Sequence, residues 1–168
     1  ILDCQLTLGK HEIFENNQAE FIANIVEGIT LGLYKFDKWN SDKTTQKEVK
    51  FQMAFIQNAS DTLDEAISRG LSVSQGIILA RDMVNSPANQ MTPTDMASMA
   101  EEMSANLPLK VTVVEEYDME RLGMQSLLGV SKGSIQPAKL IVIEYQGDAS
   151  HSDNNLALIG KGITFDTG

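Results

Sequence analysis

The sequence predicts an α/β layer structure, and two observations carry that expectation. Apolar residues recur at helical spacing in several stretches, and β-branched or alternating apolar runs stand between those stretches, separated by turn residues. With 168 residues, 42% of them hydrophobic, the chain has apolar side chains enough for cores of ordinary size.

Residues Ile1 to Gly9 alternate loosely and read as a strand. Ile13, Phe14, Phe21, Ile22, Ile25, Val26 and Ile29 then fall on one face of a helix that ends near Gly32. Leu33 to Phe36 reads as a short strand, Asp37 to Lys47 as a polar surface loop, and Val49 to Ile56 as a further strand. Thr62 and Glu65 form a capping-box pattern, opening a helix that runs toward Arg81 and is weakened by Gly70 and Gly76. Asn85 to Pro93, with two prolines and two asparagines, is a composition shift of the kind found between domains. Thr92, Pro93 and Asp95 start another helix, expected to reach about Ala105 before Asn106 and Pro108 stop it. Leu109 to Val114, Met119 to Leu128 and Leu140 to Tyr145 make a strand, helix, strand unit, and Gly147 to Asn155 turns into a third strand, Leu156 to Ile159.

Composition narrows the function. A formal charge of −10 opposes binding to phosphate backbones or anionic lipid, and no basic patch offsets it. No apolar run approaches the roughly 20 residues a membrane helix requires, and the amino end has no signal-type segment. Cys4 alone excludes a disulfide framework and suits a reducing compartment, so the expected location is cytoplasmic. With His11 and His151 the only histidines, three-histidine and HExxH metal sites are excluded.

Ligand sites in open α/β sheets gather at the carboxyl ends of strands, which directs attention to the segment after Ile159. Lys161 stands between Gly160 and Gly162, and Asp166 follows five positions later. A carboxylate can bridge two divalent ions, whereas a lysine ligates only as the neutral amine. Bringing an amine from a reference pKa near 10.4 to about 7 costs roughly 4.6 kcal/mol, which neighbouring dications and a desolvated pocket can offset. On spacing alone the bland alternative is a solvated loop lysine and a turn aspartate.

Other motifs compete. Asp166-Thr167-Gly168 spells the triplet of aspartic proteases, in a chain too rich in helix signals for that mostly-β class. Gly129-Val130-Ser131-Lys132-Gly133 matches a GxSxG elbow, with Asp148 or Asp153 and His151 downstream. Here, however, it follows a helix and precedes a strand, the reverse of the required context. A phosphate loop requires four residues between its glycines and then Lys-Ser or Lys-Thr, which Gly160-Lys161-Gly162 does not supply.

Taken together, Ala80 to Asn89 with Met91-Thr92-Pro93, then Leu122-Gly123-Met124, Leu128-Gly129-Val130 and Gly133-Ser134, then Gly160 to Gly168, resemble the leucyl aminopeptidase family, the M17 metallopeptidases. The last block is the most specific, and Gly32 to Trp39 resembles part of that family's first domain. The resemblance implies residues 1–80 as part of an amino-terminal α/β domain with its linker helix. It implies residues 81–168 as the start of a mixed-sheet α/β/α catalytic domain.

Its further implication is a cytosolic, usually hexameric hydrolase that removes amino-terminal residues, often leucine, from peptides. The family uses two divalent metal ions such as zinc, manganese or magnesium. Lys161 matches the lysine that ligates one metal, and Asp166 the aspartate that bridges both. Paired ions roughly 3.5 to 4 Å apart lower the pKa of water and neutralise the oxyanion of the tetrahedral intermediate. The family's remaining acidic ligands, its catalytic lysine and its bicarbonate-holding arginine have no counterpart in this sequence. The expectation is therefore a middle piece of such an enzyme, with no catalytic residue of its own, weak metal binding and no peptide hydrolysis in isolation. The alternative from another class is a noncatalytic α/β scaffold or oligomerisation domain derived from the family. The Arg81 to Pro93 motif reads as a domain junction, with no catalytic role.

Overall fold

The computed structural model describes residues 2–8, 17–39, 49–55, 62–151, 153 and 155–164. They form two compact units, Ile1–Asn85 and Ser86–Gly168. The first holds strand β1 (Leu2–Leu8), helix α1 (Gln18–Gly32), strand β2 (Val49–Phe55) and helix α2 (Thr62–Asn85). The second holds α3 (Pro93–Asn106), β3 (Leu109–Val114), α4 (Glu116–Arg121), α5 (Gln125–Ser131), β4 (Leu140–Tyr145) and a short 3-10 turn at Ala149–His151. The α/β class read from the sequence is the class observed.

In the first unit β1 and β2 pair in parallel, from Leu2 opposite Val49 to Leu8 opposite Phe55. A parallel pair needs a crossover between its strands, and α1 lies in that connection. Asn17 caps α1, its side chain accepting the Glu20 backbone N–H at 3.4 Å. The buried face of α1 is Ile22, Ala23 and Val26, and it meets a stripe on α2 that includes Leu63, Ala66, Gly70 and Ser74. Each large apolar side chain in this core contributes about 1.5–3 kcal/mol by leaving water.

Gly70 sets how closely the two helices approach. A Cβ built there would sit 2.6 Å from the Ala23 carbonyl oxygen and 3.0 Å from Val26 Cβ. Gly76 has nothing within 4 Å of the same position. The expectation that both glycines simply weaken the helix is therefore incomplete, since α2 runs unbroken past both to Asn85, beyond the expected Arg81. Ser74 is fully buried and satisfied within its own helix, donating to the Gly70 carbonyl at 2.7 Å.

Leu33 to Phe36 is not a strand. Leu33 ends α1, its N–H reaching the Ile29 carbonyl at 3.1 Å, and the Tyr34 hydroxyl turns toward α2. The first half of the expected α1 face, including Ile13 and Phe14, the loop from Asn40 onward, and His11 lie outside the described residues.

In the second unit Thr92 and Asp95 form the expected capping box. The Thr92 N–H donates to the Asp95 carboxylate at 2.8 Å, and the Asp95 N–H donates to Thr92 Oγ1 at 3.3 Å. Pro93 occupies the first turn, where its missing N–H costs nothing. Ala97 and Ala100 are buried on α3, which packs on β3. β3 and β4 are antiparallel, from Leu109 opposite Tyr145 to Val114 opposite Leu140.

Two expectations fail here. Met119 to Leu128 is two helices, because Gly123 adopts φ +72° and breaks the run; Met119 stays fully buried on the first of them. Leu156 to Ile159 forms no strand, with Leu156, Leu158 and Ile159 between 86% and 97% exposed. An apolar run of this kind is stable as a strand when neighbours cover both faces and edges, and the described sheet of this unit has only two strands, paired with each other.

Glu116 ties the second unit together. Its carboxylate accepts the Ala138 N–H at 2.8 Å, two residues before β4, and the Ser131 hydroxyl at 3.5 Å, at the end of α5. Beside it Lys139, its side chain 10% exposed, pairs with Glu115. Among the described residues no helix is long and apolar enough to cross a membrane.

Candidate functional site

The segment expected to carry the chemistry is an irregular, exposed stretch after β4. Lys161 is exposed within it, flanked by Gly160 and Gly162. A Cβ on Gly162 would stand 3.9 Å from Met96 Cε of α3, which places this stretch alongside that helix. Asp166 lies outside the described residues. Among the described residues no three His, Cys, Asp or Glu side chains converge into a metal-holding group. The donor set that the sequence singles out is thus one amine and one carboxylate. Its chemistry suits part of a two-metal site and cannot enclose two ions.

Among the described residues the serine motif lacks the geometry of a nucleophile elbow. Ser131 closes α5, and its hydroxyl donates to the Leu128 carbonyl at 3.2 Å as well as to Glu116. A nucleophile elbow needs a sharp strand-to-helix turn, and the end of a helix does not provide one. Asp148 accepts from the backbone and hydroxyl of Ser150 in a local turn, and Asp153 is exposed. The triplet Asp166-Thr167-Gly168 lies outside the described residues.

The Arg81 to Pro93 motif divides between the units. Arg81, Asp82 and Asn85 belong to the last turns of α2, whereas Thr92 and Pro93 start α3. Two residues with structural consequences were not foreseen. Glu116 matches no motif, and Tyr34 was read as part of a strand; the signal for Tyr34 was Asp82, an acidic residue near a helix C-terminus where its charge is of the unfavourable sign.

A model of the catalytic domain of the cytosol aminopeptidase family matches residues 78–168, more than half of the chain. The chain belongs to the cytosol aminopeptidase family. A probable cytosol aminopeptidase of Alkaliphilus oremlandii is 40% identical over 149 residues, covering 86% of this chain and 29% of the relative. Another, of Nitrosospira multiformis, is 41% identical over 154 residues, covering 88% and 29%. The chain therefore spans about three-tenths of the length of these curated relatives.

Among solved structures, the bottromycin maturation enzyme BotP in complex with Mn is similar with a TM-score of 0.63 at 29% identity, covering 76% of this chain and 26% of that one. A mutant of tomato leucine aminopeptidase has a TM-score of 0.75 at 19% identity, covering 83% and 28%, and supports the α/β fold.

Proposed function

We propose that this chain is part of a dinuclear metal aminopeptidase that releases amino-terminal residues, often leucine, from peptides. The observation that carries the reading is the family match across residues 78–168, which includes the block from Gly160 to Gly168. In this reading residues 1–80 belong to the amino-terminal domain and its linker helix, and residues 81–168 to the catalytic domain.

Lys161 would hold one divalent cation through its amine, and Asp166 would bridge two. Manganese accompanies the similar BotP structure, and zinc and magnesium suit the same hard and borderline donors. When bound, such a pair acts as a Lewis acid that lowers the pKa of water and stabilises developing negative charge on the substrate carbonyl. The chain's own contribution is to present the donors. Gly160 and Gly162 leave the backbone around Lys161 free to bring the amine inward, and an amine donor adds no negative charge, which keeps its cation more electrophilic than a carboxylate would. The name of the relatives suits a cytosolic enzyme, and a homohexamer is the assembly this reading adopts.

The test uses the full-length protein. Release of leucine from a chromogenic leucyl amide should be abolished by a chelator and restored by added metal. Asp166→Asn and Lys161→Met should lower bound metal, measured by elemental analysis, together with turnover, while circular dichroism stays unchanged. Hydrolysis indifferent to chelation, or both variants retaining the full metal complement, would remove the proposal. The 168-residue chain alone should take up metal weakly and release no leucine.

A further inference from the structure

The Arg81-Asp82-Met83-Val84-Asn85 run has no part in the proposed metal chemistry, yet three of its side chains converge on the end of α1. The Tyr34 hydroxyl donates to Asp82 Oδ1 at 2.6 Å, and the Asn85 amide donates to the Tyr34 oxygen at 3.3 Å. The Arg81 guanidinium donates to the Leu31 carbonyl at 3.4 Å and lies 5.4 Å from the centre of the Tyr34 ring. We infer that Tyr34 with Arg81, Asp82 and Asn85 is a clasp that keeps the last turn of α2 helical up to the residue where the first unit ends.

The charges explain why a clasp is needed. The C-terminal end of a helix carries partial negative charge, so a cation in its last turn helps and an anion opposes it. Neither α1 nor α2 has a basic residue in its last turn, and α2 places Asp82 close to its own C-terminus. Across the helix pair the deficit is met from the partner. Arg81 of α2 supplies a cation and a donor to a terminal carbonyl of α1, and Tyr34, just past α1, supplies an O–H to Asp82. Asn85, one helical turn beyond Arg81, is the final residue of α2, and the chain continues into Ser86-Pro87, where proline disfavours helical backbone in the residue before it. Without outside bonds, that last turn frays as helix ends do. Partial burial, and then the bond to Asp82, push the Tyr34 phenol above its ordinary value of 10.0, so its proton is in place throughout the neutral range.

The experiment is amide hydrogen exchange on the full-length protein. Tyr34→Phe keeps the ring over Arg81 and deletes only the hydroxyl, and Tyr117→Phe, on an exposed tyrosine of α4, serves as the control. Tyr34→Phe should speed exchange at Met83, Val84 and Asn85 by roughly tenfold, while Ile22 and Val26 in the core of α1 keep their protection. A rate at those three amides equal to that of Tyr117→Phe overturns the clasp, as does acceleration spread evenly over α1 and α2. Should Tyr34→Phe fail to fold, Asp82→Asn provides a second reading by ultraviolet titration of the phenol. Tyr34 should then titrate closer to 10.0, and an unchanged titration would overturn the pairing.

Discussion

Exchanging glycine for alanine at two places on one helix separates backbone propensity from packing. At Gly76 the added methyl meets nothing within 4 Å, so Gly76→Ala should stabilise the chain by about 0.5–1 kcal/mol, the ordinary helix preference of alanine. At Gly70 the same methyl arrives 2.6 Å from a backbone carbonyl oxygen of Ala23 and 3.2 Å from its Cα. The obstacle is backbone rather than the end of a flexible side chain, so α1 and α2 must move apart by several tenths of an ångström. Overpacking of this kind costs about 1–3 kcal/mol, and after the propensity gain the expected net loss is roughly 0.5–2 kcal/mol. Separation also loosens Ile22, Val26, Leu63 and Ala66, which form the core between the two helices. Urea unfolding followed by far-ultraviolet circular dichroism gives the sign, and hydrogen exchange at Ile22 and Val26 locates the loss. If Gly70→Ala stabilised the protein as much as Gly76→Ala, the close approach of the helices at this glycine would be wrong.

Two further outcomes follow from the second unit. Thr92→Ala should cost about 0.5–2 kcal/mol by removing the cap of α3. The hydroxyl of Thr92, and next its backbone N–H, hold the Asp95 carboxyl below its ordinary 3.8, so this carboxylate contributes stability that is present above that value and lost as pH falls through the lower folded value. An NMR titration should find Asp95 returning toward 3.8 in Thr92→Ala, and identical titrations in both proteins would break the link. Glu116→Ala should destabilise the second unit by about 1–3 kcal/mol, because the part-buried Ala138 N–H loses its acceptor, whereas Glu116→Gln keeps an oxygen there and should lose clearly less. Equal midpoints for the two variants in urea would show that the bond to Ala138 does not matter.

The elements that were legible in the sequence are those whose signals are local. The cap of α3 depends on Thr92, Pro93 and Asp95 within one turn, and it was read correctly from those residues. β3 and β4 were legible because each is a short apolar, β-branched run whose signal lies within the strand itself, although two helices stand between them in the chain. The failures arose where distant residues decide. Gly70 reads as a helix weakness until Ala23 is seen against it, and Leu33 to Phe36 reads as a strand until Asp82 draws Tyr34 toward α2. Gly123 is an intermediate case. The residue that allows a positive φ was visible, but a helical spacing of apolar residues continued across it and concealed the break.

The candidate site follows the same division between local chemistry and distant closure. Residue type makes Lys161 and Asp166 the candidate donors, and both lie within the stretch matched by the family model, residues 78–168. Their spacing does not by itself bring them together. Five residues of extended chain span up to roughly 17 Å, whereas two cations served by a common carboxylate lie roughly 3.5 to 4 Å apart. The segment must therefore fold back on itself for both side chains to reach one metal pair, and Gly160 and Gly162 allow that turn without dictating it. Such a turn closes at lower entropic cost when the backbone that enters it is already packed. In the described structure Leu156 to Ile159 has no sheet neighbour, and Lys161 is exposed. Metal affinity should accordingly depend on whether this apolar run is covered as well as on the two donors, because an ion bound by a loose loop must order the backbone as it binds.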